Sequence, residues 1–264
     1  MATKAGNLAE IPNATMAIAQ GILRPDGGLT IAMDHGLNGV PRGLEAPPAR
    51  VRELLGYAPD GVIITVGMLR ALGKEISGRG IVPILAVDAA ISEEGKVIGH
   101  ADVALFEQCA WLGCGIAKIV FQLGWRDEAF CAEISRIAAA VAAAQRTGTL
   151  IMVEPAMIGG DPADWAGARS TARIKDGCRI SSELGADLLK IPMLSQDDVR
   201  EVVEMSYCPV TVMGGDATDQ ATFLGQVAES LAGGARGIVA GRNVWQESRE
   251  SEVVAGLRNL LAAD

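Results

Sequence analysis

Eight short runs of apolar, largely β-branched residues recur along the chain, each bounded by turn-forming residues. They are LTIAMD (29–34), GVIITV (61–66), IVPILAVD (81–88), GIAKIVF (115–121), TLIMVEP (149–155), ADLLKIP (186–192), CPVTVMG (208–214) and ARGIVAG (235–241). Within each run the apolar residues are continuous rather than alternating, which implies strands buried on both faces, and hence a parallel sheet covered by helices. The intervening segments predict those helices: HADVALFEQCAWLGC (100–114), DEAFCAEISRIAAAVAAAQRTG (127–148), STARIKDGCRISSELG (170–185) and TDQATFLGQVAESLAGG (218–234). Several close on a glycine in the position of a C-terminal cap. NATMAIAQ (13–20) predicts a helix ahead of the first strand, and DAAISEEGKVIGH (88–100) predicts a loop or short hairpin.

Eight strand–helix units predict an α/β fold, a (β/α)8 TIM barrel, better than an open doubly wound sheet. An open dinucleotide-binding sheet would carry GxGxxG after its first strand. Here LTIAMD is followed by HGLNGVPRG. No linker or longer repeat interrupts the pattern, so residues 1–264 are expected to form a single domain.

Composition narrows the function. The chain has 264 residues, 49% hydrophobic and 21% charged, which is globular material with enough apolar residues for a large core. A net charge of −9 without a basic run argues against nucleic-acid binding. No apolar run reaches the ~18 residues of a membrane span, and the first residues lack a secretory apolar core, so a cytoplasmic protein is expected. Cys109, Cys114, Cys131, Cys178 and Cys208 form no CxxC, and the two histidines, His35 and His100, have no metal-ligand spacing. Neither disulfides nor a zinc site is expected, and nothing in the sequence calls for a cofactor.

In such a barrel the chemistry lies at the carboxyl ends of the strands. The polar residues there are Asp34 and His35, Asp88, Lys118, Glu154, Lys190, then Gly214, Gly215 and Asp216, and finally Gly241 and Arg242. Lys118 and Lys190 weigh most, because the chain holds only six lysines and these two interrupt strand cores. Burial is expected to depress a lysine pKa and free the amine as a nucleophile, and a second ammonium nearby pushes the same way. Glu154 and Asp34 supply carboxylates for acid–base work or for pairing with the lysines, and His35 is placed to orient a substrate hydroxyl. The two glycine loops with Arg242 form a pattern suited to phosphate. Trp125 and Trp165 follow the fourth and fifth strands and either wall the site or pack.

These motifs carry a family resemblance. IAMDHG, GIAKIVFQLGW, MVEPAM, GADLLKIPM, VMGGD and GARGIVAGRNVW resemble the class I, Schiff-base aldolases, the family of deoxyribose-phosphate, tagatose-bisphosphate, sulfofructose-phosphate and archaeal-type fructose-bisphosphate aldolases. By resemblance, Lys190 is the Schiff-base lysine, Lys118 the second active-site lysine, Glu154 the acid/base group, and Gly215 and Arg242 phosphate ligands. The resemblance implies cleavage of a phosphorylated ketose to dihydroxyacetone phosphate and an aldehyde, without metal, in a homo-oligomer. Two departures stand out. EPAMIGG replaces the archaeal Trp–x–Tyr–Pro–Arg–Gly stretch, which passes the proton role from tyrosine to Glu154. GGDATD lacks the lysine that many relatives carry after the strand 7 glycines, which argues against a bisphosphate substrate. The alternatives are an acyl-transferring thiolase or transaldol-type synthase on the same barrel, a lysine-independent isomerase, and a non-catalytic sugar-phosphate-binding barrel.

Overall fold

In a computed structural model, which describes residue 22 and residues 27–93, 96–160, 167–246 and 249–263, all eight apolar runs are strands. In chain order the strands are β1 (Gly28–Ala32), β2 (Gly61–Ile64), β3 (Val82–Ala86), β4 (Asp88–Glu93), β5 (Lys96–Asp102), β6 (Ile116–Gln122), β7 (Leu150–Ala156), β8 (Leu188–Ile191), β9 (Val210–Met213) and β10 (Gly237–Ala240). The helices are α1 (Pro47–Leu55), α2 (Val66–Gly78), α3 (Phe106–Trp111), α4 (Asp127–Thr147), α5 (Gly167–Leu184), α6 (Gln196–Met205), α7 (Gln220–Ala232), α8 (Arg242–Trp245) and α9 (Glu250–Leu261).

Eight strands close into a parallel barrel in the order β1–β10–β9–β8–β7–β6–β3–β2. The closing pair is β1 with β10, in the register Leu29 to Ile238 and Thr30 to Val239. Strand residues facing outward, such as Ile31, Val62, Leu85, Ile119, Val153, Leu189, Val212 and Ile238, join the helices in one outer core. Those facing inward, including Ile63, Ile84, Ile116, Met152, Leu188 and Val239, form a separate cluster inside the barrel. That double burial is what the continuous apolar runs required. The helix termini follow local chemistry: α4 opens on Asp127 and Glu128, which complement the N-terminal dipole, and stops at Gly148 in the left-handed region at φ 67°.

The remaining two strands, β4 and β5, form an antiparallel hairpin in the connection between β3 and α3. Of the two readings of residues 88–100, the hairpin is the one observed. The first part of the helix expected over 100–114 is instead strand: His100, Ala101 and Asp102 pair with Ala90, Ala89 and Asp88, and the helix begins only at Phe106. Sheet pairing of the β-branched stretch overrides the weak helical spacing that precedes it. The helix expected over 13–20 lies outside the described residues.

Candidate active site

Alternation along the strands delivers the polar groups. Ile116, Met152 and Leu188 point into the barrel, and every second residue of a strand faces the same side. Two positions further on stand Lys118, Glu154 and Lys190, all buried. Asp34 and Asp88 stand at the same spacing from the interior residues Ala32 and Ala86, just past the ends of β1 and β3.

The five groups meet. Lys190 Nζ donates to Glu154 Oε2 at 2.8 Å. Lys118 Nζ lies 3.4 Å from the same Oε2, 3.4 Å from Asp34 Oδ2 and 3.8 Å from Asp88 Oδ1. Two lysines therefore share one carboxylate oxygen, and the deeper of the two is enclosed by three carboxylates. Burial works to depress the pKa of Lys118, but Glu154, Asp34 and Asp88 outweigh it and hold the ammonium well above its ordinary range. For Lys118 this corrects the expectation from sequence that burial lowers the pKa of a strand lysine. Lys118 is a fixed cation. Asp34 shows the reverse balance: burial pushes its carboxyl up, while Lys118, His35 and Lys190 together bring it below the usual value.

Beside this cluster, His35 sits in a 3-10 turn (Asp34–Asn38) with Nδ1 3.6 Å from Asp34 Oδ1 and its ring edge-on to Trp245 at 5.1 Å. Burial, Lys190 and Arg242 lower its pKa against the opposing pull of Asp34 and Glu154, so the neutral ring is favoured. His35 Nδ1 and Arg242 Nε are both buried without a hydrogen-bond partner.

The loops after β9 and β10 are tied to each other. Asn243, buried in α8, donates from Nδ2 to the carbonyls of Gly214 (2.7 Å) and Asp216 (3.0 Å) and accepts from Thr218 N–H at Oδ1 (2.9 Å). Gly215 takes φ 65°, the left-handed region that a side chain resists. A side chain on Gly241 would come within 3.2 Å of His35 Cε1. Arg242 Nη1 pairs with Asp216 Oδ1 at 2.5 Å, so one expected phosphate residue holds the other. A cavity of about 350 Å³ opens here, lined by Pro192, Met193, Gly214, Gly215, Asp216 and Thr218.

The structure thus gathers Asp34, Lys118, Glu154 and Lys190 into one cluster with His35 beside it, and gathers Gly214, Gly215, Asp216 and Arg242 into an adjoining loop pair, with Gly241 against His35. Trp125 donates from Nε1 to Gln122 Oε1 at 3.2 Å, and Trp165 lies outside the described residues. The sequence pattern marks Asp88 without giving it a role, weighs His100 only as a metal ligand, and does not single out Arg136 or Asn243. Asp88 is fully buried, and its Oδ2 accepts from Val120 N–H (2.8 Å), His100 Nε2 (2.9 Å) and Arg136 Nη1 (3.3 Å). The available signal was an aspartate at the end of an apolar run, since such a carboxylate needs partners. Nothing local in the sequence pairs it with residues 12 and 48 positions away.

Among the described residues, Asp88, His100 and Asp102 form the one group whose donor atoms lie close enough together to hold a metal. Arg136 Nη1 already bridges its carboxylates, 3.3 Å from Asp88 and 3.0 Å from Asp102. The guanidinium is the cation there. No described helix is long and apolar enough to cross a membrane.

The chain is thus a parallel eight-stranded barrel with two lysines and a glutamate at the carboxyl ends of its strands. Residues 29–247 match the family model of the DeoC/LacD family aldolases, and the chain belongs to that family; it is an enzyme of the aldehyde-lyase class. It is 28% identical over 236 residues to a 2-amino-3,7-dideoxy-D-threo-hept-6-ulosonate synthase of Archaeoglobus fulgidus, covering 88% of this chain and 84% of that one. It is 27% identical over 261 residues to the 2-amino-4,5-dihydroxy-6-oxo-7-(phosphonooxy)heptanoate synthase of Streptomyces griseus, with 95% and 92% covered. In three dimensions it is similar to an archaeal fructose 1,6-bisphosphate aldolase, with a TM-score of 0.80, 22% identity, and 96% and 100% of the two chains covered.

Proposed function

We propose that the whole chain, 1–264, is one catalytic barrel that reversibly cleaves a phosphorylated ketose to dihydroxyacetone phosphate and an aldehyde through an imine on Lys190. The observation that carries this is the 2.8 Å hydrogen bond from Lys190 Nζ to Glu154 Oε2, with Lys118 on the same oxygen. Along that bond Glu154 takes a proton from Lys190, and the neutral amine attacks the ketone carbon. The proton left in excess on nitrogen passes to the alkoxide to give the carbinolamine, and Glu154 returns its own proton to the carbinolamine hydroxyl, which leaves as water and generates the iminium. As carboxylate again, Glu154 takes the proton of the hydroxyl next to the scissile bond. The carbon–carbon bond breaks, the aldehyde departs, and the electron pair passes into the iminium to give an enamine. Reprotonation at carbon and hydrolysis release dihydroxyacetone phosphate and Lys190.

Lys118 keeps its charge throughout and holds substrate oxygens in place, while Asp34 and His35 face substrate hydroxyls. Gly214, Gly215, Asp216, Gly241 and Arg242 form the phosphate end, and the buried atoms His35 Nδ1 and Arg242 Nε, neither with a hydrogen-bond partner, support an anionic or hydroxylated ligand there. The lysine chemistry needs no cofactor. The setting proposed is a cytoplasmic homo-oligomer acting on a small sugar phosphate. A second reading, a transaldol-type synthase using the same imine to join two carbon skeletons, is favoured by the names of the Archaeoglobus and Streptomyces relatives. Product analysis with a panel of ketose phosphates and aldehyde acceptors separates the two.

The test of both is intact-mass spectrometry after borohydride reduction with dihydroxyacetone phosphate. A reduced adduct in the wild type that vanishes in Lys190→Ala is expected. The absence of an adduct in both, with binding shown separately, sinks the imine chemistry.

A further inference from the structure

We infer that His100, on the inserted β4–β5 hairpin, is a positioning residue for the lysine pair, acting through Asp88. The inference rests on the imine reading above. Asp88 divides its two oxygens between different tasks. Oδ2 accepts three donors: the Val120 N–H, His100 Nε2 and Arg136 Nη1. Oδ1 is buried, has no hydrogen-bond partner, and faces Lys118 Nζ at 3.8 Å. Three donors on one oxygen fix the rotation of the carboxylate and leave the other oxygen pointing at the ammonium.

The partners of Asp88 differ in what else they do. The Val120 N–H would be orphaned where β3 leaves the sheet, because the last ladder bond between them is Val87 N–H to the Lys118 carbonyl at 3.0 Å. Arg136 also serves the edge of β6: its Nη2 donates to the Val120 carbonyl, and its partner Glu133 accepts from Gln122 N–H at 2.9 Å. Those contacts hold the strand together. Among the described residues, the His100 ring makes one polar contact, 2.9 Å to Asp88 Oδ2, and the ring is largely buried. Its contribution is therefore to the orientation of Asp88 and, one step on, to the place of Lys118.

The consequence follows from the shared oxygen. Lys118 is held between Asp34, Asp88 and Glu154. When Asp88 turns away, Lys118 settles toward Asp34 and Glu154, where it competes with Lys190 for Oε2. Proton transfer from Lys190 to Glu154 then loses its geometry, and imine formation slows. His100 touches neither the ketone nor the phosphate end, so substrate affinity is unaffected.

The experiment is rapid-quench borohydride trapping with dihydroxyacetone phosphate in wild type, His100→Phe, His100→Gln, Asp88→Asn and the double variant His100→Phe/Asp88→Asn, with a thermal melt of each. His100→Phe keeps the ring volume and removes the donor; it is expected to slow trapping roughly 10- to 100-fold at unchanged half-saturating ligand. His100→Gln, which can still donate to Asp88 Oδ2, is expected to recover most of the rate. The double variant is expected to be no slower than Asp88→Asn alone, because His100 acts only through that carboxylate. If His100→Phe does not fold, His100→Asn, too short to reach Oδ2, carries the same expectation. A wild type that traps no adduct overturns the imine reading and this inference together. A wild type that traps, with folded His100→Phe trapping equally fast or with additive effects in the double variant, overturns the inference alone.

Discussion

Glu154 Oε2 accepts from Lys190 and lies 3.4 Å from Lys118, and this arrangement sets unequal roles for two lysines that look alike in sequence. Lys118 is ringed by Asp34, Asp88 and Glu154, which raise its pKa. A group whose pKa is raised on folding contributes stability fully below its unfolded value, here about 10.5, and loses it as pH climbs through the folded value. Lys118→Met removes the cation that lies, among the described residues, against Asp34, Asp88 and Glu154 together, and is expected to cost about 3–5 kcal/mol in urea unfolding at pH 8. The wild-type advantage should persist up to about pH 10.5 and close above it. An advantage that already vanishes between pH 8 and pH 10 would show that Lys118 is not held charged. That both lysines face the barrel interior was legible, because each interrupts an apolar run at strand spacing. That one of them is a permanent cation was not, because its three carboxylates come from β7 and from the segments that follow β1 and β3.

Elements rather than single residues explain what else the sequence hid. The strands were legible because each had to be buried on two faces, and the observed bounds fall within a residue or so of the predicted runs at most ends. The hairpin was only half legible: residues 88–93 and 96–102 pair with each other and with no barrel strand, so their identity depends on partners that periodicity does not reveal. The same holds for α8, four residues long, whose Asn243 makes three hydrogen bonds to the loop after β9. Because this side chain ties α8 to the loop after β9 through three hydrogen bonds, beside the Arg242–Asp216 pair, Asn243 helps set the shape of the proposed phosphate end. Asn243→Ala leaves two carbonyls and one N–H without this partner. It is expected to lower stability by about 1–3 kcal/mol and to raise KM for the sugar phosphate while leaving the trapping rate at saturating ligand nearly unchanged. A variant that loses trapping rate instead of affinity would move Asn243 from the phosphate end to the chemical step.

At the scale of the molecule, one closed sheet joins all of these parts, so occupancy at the mouth is felt by the whole barrel. The lysine cluster is built on β6, β7 and β8 with the segments after β1 and β3, and the proposed phosphate end on the loops after β9 and β10. A ligand spanning both therefore ties together seven of the eight barrel strands. Ligand that binds only the folded state stabilises it by about 2.7 kcal/mol at a hundredfold excess over Kd, which for a chain of this length corresponds to a rise of roughly 5–10 °C in Tm. Under the proposed function, dihydroxyacetone phosphate engages the proposed phosphate end and also forms a covalent imine with Lys190, whereas inorganic phosphate reaches only the former. The expected order of Tm, at equal ligand concentrations, is dihydroxyacetone phosphate above phosphate above the free protein, with the first interval abolished in Lys190→Ala and the second retained. Equal shifts from both ligands in the wild type would mean that the barrel recognises phosphate without engaging the ketone, as a sugar-phosphate-binding protein would. A shift from dihydroxyacetone phosphate that survives intact in Lys190→Ala would place the ketone away from the lysine, and the imine chemistry with it.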